Sequence, residues 1–200
     1  MKIIKIVIPV LILTIALWAA NARLSEKAPD FKLKDVSGEV HELSDYKGKY
    51  VVLEWVNFGC PFVKKHYNSG NMQALQKKFT EKGVVWLSVC SSAPGKQGHY
   101  QADELQDVLN EKGVHHTAYL IDEDGTVGRK YGAKTTPHMY IINPKGTLVY
   151  AGAIDDKPST KLADVQTADN YVVNILQAAL ADKEFEPKST SPYGCSVKYD

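Results

Sequence analysis

Val51-Val52-Leu53-Glu54-Trp55-Val56-Asn57-Phe58-Gly59-Cys60-Pro61-Phe62-Val63-Lys64-Lys65-His66-Tyr67 decides the architecture of this chain. Tyr50 to Val56 is too apolar to alternate, as expected of a strand covered on both faces in a parallel sheet. The apolar run ends at Gly59. Pro61 then opens a segment with helical spacing, because proline's fixed φ and missing N–H suit the first helical position. Cys60 therefore falls where a strand hands over to a helix. The first-turn N–H groups of a helix have no internal partners and carry partial positive charge, which favours a thiolate over a thiol. Cys60 is thus expected to be acidic and reactive.

Working outward, Phe31 to Lys34, the Ser37-Gly38 turn and Glu39 to Leu43 read as a hairpin feeding a polar loop over 44–49. After Cys60 the spacing predicts a helix from Pro61 to about Lys82, stopped at Gly83. Val84 to Val89 is a second buried strand, Ala102 to Lys112 a helix closed by Gly113, and Ala118 to Ile121 a short strand ended by Asp124-Gly125. Met139 to Ile142 and Leu148 to Ala153 flank Asn143-Pro144-Lys145-Gly146 as a hairpin. Ala163 to Ala181 predicts an amphipathic helix with Val165, Tyr171, Val172, Ile175, Leu176 and Leu180 facing the sheet. One α/β domain over 23–186 results, with an irregular Pro- and Ser-containing tail over 187–200.

Three features in this order carry a family resemblance: the opening Ala28-Pro29-Asp30-Phe31, the strand-Cys60-helix turn, and Thr135-Thr136-Pro137 before a late apolar strand. From Ala28 to Leu180 the chain resembles the thioredoxin-like superfamily, redoxin branch, which includes the alkyl hydroperoxide reductase C/thiol-specific antioxidant (AhpC/TSA) and TlpA-like proteins. The resemblance implies a thioredoxin-like fold: a central mixed β-sheet flanked by helices, with an N-terminal β-hairpin extension. It also implies that Glu54, on the buried strand, assists proton transfer at the active-site thiol, and burial without a cation would raise its pKa. A salt bridge to a lysine is the plainer alternative. Thr136-Pro137 corresponds to the cis-proline segment facing the reactive cysteine, where Thr136 can pair with an extended peptide. Asn57, Phe58 and Pro61 flank the thiol and complete the expected substrate-binding set.

Two departures bear on function. The thioredoxin motif has a second cysteine where this chain has Val63, so a mixed disulfide formed at Cys60 must be resolved by a thiol from elsewhere. Cys90, at the end of the neighbouring strand, and Cys195, in the tail, are the candidates; a lone cysteine among apolar residues also reads as a small buried hydrophobe. In the peroxiredoxin pattern Pro-x-x-x-Thr-x-x-Cys, the proline and threonine positions are Leu53 and Asn57. Thiol-disulfide exchange through Cys60, with Cys195 as resolver, is therefore the leading expectation. A thiol peroxidase reducing hydroperoxides through Cys60 and a non-catalytic peptide-binding module are the alternatives. Partners would be protein thiols and disulfides or small hydroperoxides, together with an external thiol reductant.

Composition limits the rest. Lys2 and Lys5 precede an apolar stretch, Ile6 to Ala20, and Ala20-Asn21-Ala22 offers small residues for signal peptidase, so residues 1–22 read as an export signal. About 15 apolar residues fall short of the ~20 that a spanning helix needs, so no stable membrane span is expected after cleavage. A periplasmic or secreted location follows, where disulfides persist. The chain carries 24 basic and 23 acidic residues; removing Lys2 and Lys5 leaves 22 against 23, giving nucleic acid no basic surface. Cys60, His66, His99 and the pair His115-His116 show no compact ligand spacing, so neither a metal nor another cofactor is expected.

Overall fold

A computed structural model describes residues 21–200, so the expected export signal over 1–22 lies almost wholly outside the described residues. Lys32–Asp35 (β1) and Val40–Glu42 (β2) form the anticipated antiparallel hairpin, followed by a short 3-10 turn at Leu43–Tyr46. Val51–Trp55 (β3) is buried at every position and leads through Cys60 into Pro61–Asn68 (α1). Asn71–Thr80 (α2), Val85–Cys90 (β4), Ala102–Lys112 (α3) and Ala118–Ile121 (β5) follow. Then come Thr126–Tyr131 (α4), Thr135–Thr136 (β6), His138–Ile142 (β7), Leu148–Gly152 (β8), Tyr171–Leu180 (α5), Lys188–Ser189 (β9) and Cys195–Ser196 (β10).

The main sheet runs β2-β1-β5-β4-β3-β7-β8-β9. β3 lies at its centre, parallel to β4 and antiparallel to β7, which makes the sheet mixed. Alternation along β3 divides the core. Val52 and Val56 face α1, α2, α3 and α5 through Tyr67, Phe79, Leu109 and Leu176. Val51, Leu53 and Trp55 face the other layer, where Phe31, Val127 and Tyr131 cover them. Both faces of β3 are dry, which is why the strand lacks polar alternation. Its C-terminal end therefore holds the Cys60 turn on a rigid base.

The structure corrects three of the expected elements. The helix expected from Pro61 to Lys82 is broken at Gly70, whose φ of 72° lies in the left-handed region that glycine enters without a Cβ penalty. The helix expected from Ala163 begins at Tyr171, because the Asn170 side chain accepts the Val173 N–H at 3.0 Å and caps it there. Val165 instead lies in a separate 3-10 turn, Leu162–Thr167, with no buried residue, and Leu180 is exposed. The tail is not irregular. β9 extends the main sheet parallel to β8, and β10 pairs antiparallel with β6.

α4 has no apolar pattern that sequence reading picks out. It is fastened instead by buried Asp122, whose carboxylate accepts the Val127 and Gly128 N–H groups at 3.1 and 2.8 Å. Among the described residues, no helix is long and apolar enough to cross a membrane.

Candidate active site

Cys60 is the N-cap residue of α1 and Pro61 its first helical position, as the strand-Gly-Cys-Pro order predicts. The Cys60 backbone is fixed on both sides: its N–H donates to Asn57 O and its carbonyl accepts from Lys64, each at 2.9 Å. Cys60 is fully buried, at 0% exposure, so the site around this sulfur is closed. What closes it is the tail.

β10 lies against β6 with Cys195 opposite Thr136 and Ser196 opposite Thr135. The Cys60 thiol donates to the Thr136 carbonyl at 3.1 Å, and the Thr136-Pro137 peptide is cis. Burial pushes the Cys60 thiol up, but the Cys195 thiol, the Val63 and Cys195 amides and the Thr136 hydroxyl outweigh it and bring it below the ordinary thiol range. Among the described residues the buried Thr136 hydroxyl has no hydrogen-bond partner. Cys60 closes no capping hydrogen bond of its own, so the Val63 amide acts mainly as a nearby dipole. Cys195 moves the other way: burial and its bond to Cys60 push it up to about 11. Of the two thiols, Cys60 is therefore the easier to ionise and Cys195 the one that keeps its proton to higher pH.

Cys90 does not share this environment. Its thiol donates to the Gly98 carbonyl at 3.3 Å, in a niche lined by Tyr100, Leu105 and Tyr119. The structure thus brings Cys195, and not Cys90, to Cys60.

Glu54 is fully buried on β3, and among the described residues it forms no salt bridge. Tyr67 Oη donates to its Oε1 at 2.9 Å, while Trp86 Nε1, Gln76 Nε2 and Ser88 Oγ donate to Oε2 at 2.8, 3.1 and 3.2 Å. Burial raises its pKa, and these four donors oppose the rise. Ser88 Oγ also meets His116 Nδ1 at 3.0 Å, extending the chain of polar groups to a half-buried imidazole. Burial and the neighbouring His115 lower His116 to about 4, so the ring is neutral near pH 7. Among the described residues, no hydrogen bond links Glu54 to Cys60.

Asn57, Phe58 and Pro61 are held in different ways. Asn57 Nδ2 donates to Gln97 O at 2.9 Å and its Oδ1 accepts the Gly59 N–H at 2.8 Å, which ties the loop after β4 to the Cys60 turn. Phe58 packs edge-on against Tyr67, with ring centroids 5.0 Å apart, and stacks on Tyr119 at 6.0 Å. Pro61 is exposed. Arg129 is committed to the tail end: its guanidinium lies 4.5 Å from the Tyr199 ring and donates to Asp200 O at 3.0 Å.

Sequence reading missed a second polar cluster beside Cys60. Tyr193 Oη donates to Asp155 Oδ1 at 2.5 Å, and Lys65 Nζ donates to the same hydroxyl at 3.2 Å and to Lys157 O at 2.8 Å. His66 Nδ1 accepts from Asn71 Nδ2 at 2.9 Å, which leaves Nε2–H to meet Tyr193 Oη at 3.3 Å. Burial, helped by Lys65, lowers His66 to about 3 and keeps it neutral. These partners lie up to 128 residues apart, and no local pattern announces them. The only hint in the sequence was an aromatic residue two positions before the tail cysteine.

Asp35, Glu39 and His41 have the spacing of metal ligands. They sit at the β1-β2 edge, however, where the Asp35 carboxylate already accepts the Ser37 and Glu39 N–H groups at 2.8 and 3.0 Å.

Comparison with known proteins agrees with this geometry. The AhpC/TSA family matches residues 24–151. The chain is 31% identical over 136 residues to the thiol-disulfide oxidoreductase ResA of Bacillus subtilis, covering 67% of this chain and 70% of that protein. It is 27% identical over 143 residues to the thioredoxin-like protein YneN of the same organism, covering 70% and 78%. An uncharacterized conserved protein from Geobacillus kaustophilus superposes with a TM-score of 0.76 at 27% identity, over 89% of this chain and 93% of that one. The fold is also that of a putative thiol:disulfide interchange protein DsbE from Chlorobium tepidum, with a TM-score of 0.60 at 23% identity, over 80% and 99%. A thioredoxin-like sheet with a cysteine capping the helix after its central strand, and a family match over most of its length, make this chain an oxidoreductase that belongs to the AhpC/TSA family.

Proposed function

We propose that the protein is an exported thiol-disulfide exchange enzyme in which Cys60 is the nucleophile and Cys195 the resolving thiol. The observation that carries this reading is the pairing of β10 with β6, which sets Cys195 beside a buried, acidified Cys60. In the reduced protein the Cys60 thiolate attacks one sulfur of a partner disulfide. A Cys60-partner bond forms and the partner's other sulfur leaves as a thiolate. Cys60 then no longer carries charge, so the bond that held the Cys195 proton is lost and that thiol becomes easier to ionise. Its thiolate attacks the Cys60 sulfur and expels the second partner sulfur. Two electrons have passed to the partner, and the Cys60-Cys195 disulfide awaits an external thiol.

Glu54 serves as the buried proton store of this site and exchanges with solvent through Ser88 and His116. Exchange is favoured over peroxide reduction by the fate of position 57. A peroxiredoxin uses a threonine hydroxyl there to hold the peroxide, whereas both ends of the Asn57 amide are spent on Gln97 and Gly59. The names of the relatives ResA and DsbE point the same way.

The test is turnover of a disulfide-bonded peptide with a dithiol reductant, run beside a peroxide-consumption assay. Cys60→Ser should lower exchange to about one-hundredth or less, and the wild type should consume peroxide no faster than a free thiol. Exchange that survives Cys60→Ser, or peroxide turnover that exceeds it, would remove the reading.

A further inference from the structure

The closed state of the site has a consequence for what can enter it. A sulfur with no exposed surface cannot be reached by a partner disulfide, so the segment covering Cys60 must leave before exchange and return to resolve it. That segment is a continuous strap. It begins where Thr190 Oγ1 accepts the Ala153 N–H at 2.9 Å and bonds Tyr150 Oη at 2.7 Å. It is pinned at Tyr193 by Asp155, Lys65 and His66, with the Phe62 ring 5.8 Å away. It then adds β10 to β6, passes its Val197 N–H to Lys134 O at 3.1 Å, and receives Ala93 N–H on Lys198 O at 2.9 Å. Tyr199 Oη ends it on Ala133 O at 2.9 Å.

We propose that Tyr193-Gly194-Cys195-Ser196 is a resident pseudo-substrate: it fills the seat of an incoming cysteine strand, which must displace it and must itself carry glycine directly before its reactive cysteine. The inference rests on the exchange reading above and names the substrate class for it.

The glycine requirement comes from the backbone. Gly194 has φ 141°, and a Cβ built on it would overlap the Thr136 carbonyl oxygen. That oxygen belongs to the strand that receives the incoming segment and also accepts from the Cys60 thiol, so it cannot retreat as a flexible side chain would. Any strand seated in this register meets the same obstacle. The hydroxyl pocket adds a second preference. Lys65 and Asp155 are each at most 2% exposed and converge on one phenol oxygen. Lys65 Nζ lies 3.8 Å from Asp155 Oδ2, and an empty pocket would take from this buried pair the hydroxyl that both also bond. The preferred partner is therefore an extended Tyr-Gly-Cys segment, and the resident strap scales the apparent rate down to the fraction of time it is open.

The experiment uses the full chain carrying Cys195→Ser, which halts each event at the mixed disulfide. Two peptides, Tyr-Gly-Cys-Ser-Val and Tyr-Ala-Cys-Ser-Val, are supplied with the cysteine joined to thionitrobenzoate. Attack by Cys60 on the peptide sulfur forms the adduct and releases coloured thionitrobenzoate, with the reaction of each peptide with free dithiothreitol as the intrinsic control. The glycine peptide should react about tenfold faster or more, and strap opening cancels from the ratio. Adding Tyr193→Ala, or the milder Tyr193→Phe, should accelerate both peptides and also the alkylation of Cys60 by iodoacetamide, with a smaller gain for Tyr193→Phe. Equal rates for the two peptides, or alkylation unchanged in both Tyr193 variants, would overturn the proposal. Faster alkylation with no adduct from either peptide would count against the exchange reading while confirming that the strap covers Cys60.

Discussion

Cys60 and Cys90 stand at the same end of two adjacent parallel strands, yet they live in different chemistry. β3 and β4 pair in register from Val51 and Val85 onward, and each delivers its cysteine to the same edge of the sheet. Beyond β3 the chain turns into α1, so the Cys60 sulfur meets first-turn amides and the returning tail. Beyond β4 it enters a loop, and the Cys90 sulfur meets a carbonyl oxygen and aromatic rings. Both thiols donate to a carbonyl oxygen, but beside Cys60 an amide and a second thiol are also present to stabilise the anion. The edge of the sheet places a cysteine; what lies beyond the edge makes it reactive.

The sharpest way to break this contrast is to remove the tail thiol. Cys195→Ala should lower multiple-turnover exchange about tenfold or more and accumulate the Cys60-partner adduct, visible by intact mass. It also deletes the first donor that holds Cys60 down, so the pH profile of Cys60 alkylation, normalised to its plateau, should move to higher pH. The extent of Cys90 alkylation should be unchanged. Were resolution to persist in Cys195→Ala and disappear in Cys90→Ala, the two cysteines would have exchanged roles.

A middle-sized effect sharpens the comparison beneath both strands, where Glu54 of β3 accepts from Ser88 of β4. Its folded-state pKa is raised by burial, so above the ordinary glutamate value of about 4.3 the folded state holds a proton that the unfolded state has lost. Stability must then fall as pH rises through the window between the unfolded and folded values. Glu54→Gln should flatten that decline in urea midpoints taken from pH 4 upward, whatever it does to the midpoint itself. If Glu54 also stores protons for Cys60, the variant will change the pH profile of exchange. An unchanged slope in the urea series would show that the four donors fully offset burial.

How much of this was legible in the sequence follows from range. The Cys60 turn and the central buried strand are written in contiguous residues, because a strand, a proline at a helix start and a helix each leave a local pattern, whereas the cis Thr136-Pro137 bond was implied only by the family resemblance. Gly70 was legible too, though the reading ran the helix through it. The tail was not: β10 is two residues long and is ordered by β6, about 60 positions earlier, and the Tyr193 pocket collects residues from α1 and the segment after β8. Short strands made by a distant partner carry no period. Proline and serine in the tail read as irregular structure, and only the partner strands show otherwise.

The smallest expected effect is the most exacting for the contrast, since it asks Cys90 to do nothing. Its side chain is 6% exposed and packs with Leu105 and Tyr119, so Cys90→Ala removes one buried sulfur and leaves a small void. That should cost about 1 kcal/mol in urea denaturation, and exchange and its pH profile should stay within about twofold of wild type. The thiol donates to Gly98 O, in a loop that is also held at Gln97 by Asn57, at Ala93 by Lys198 O and at His99 by Glu123, so the loop keeps these ties when the sulfur goes. An activity loss well beyond the stability loss would mean that the β4 end, by way of this loop, positions Cys60 after all.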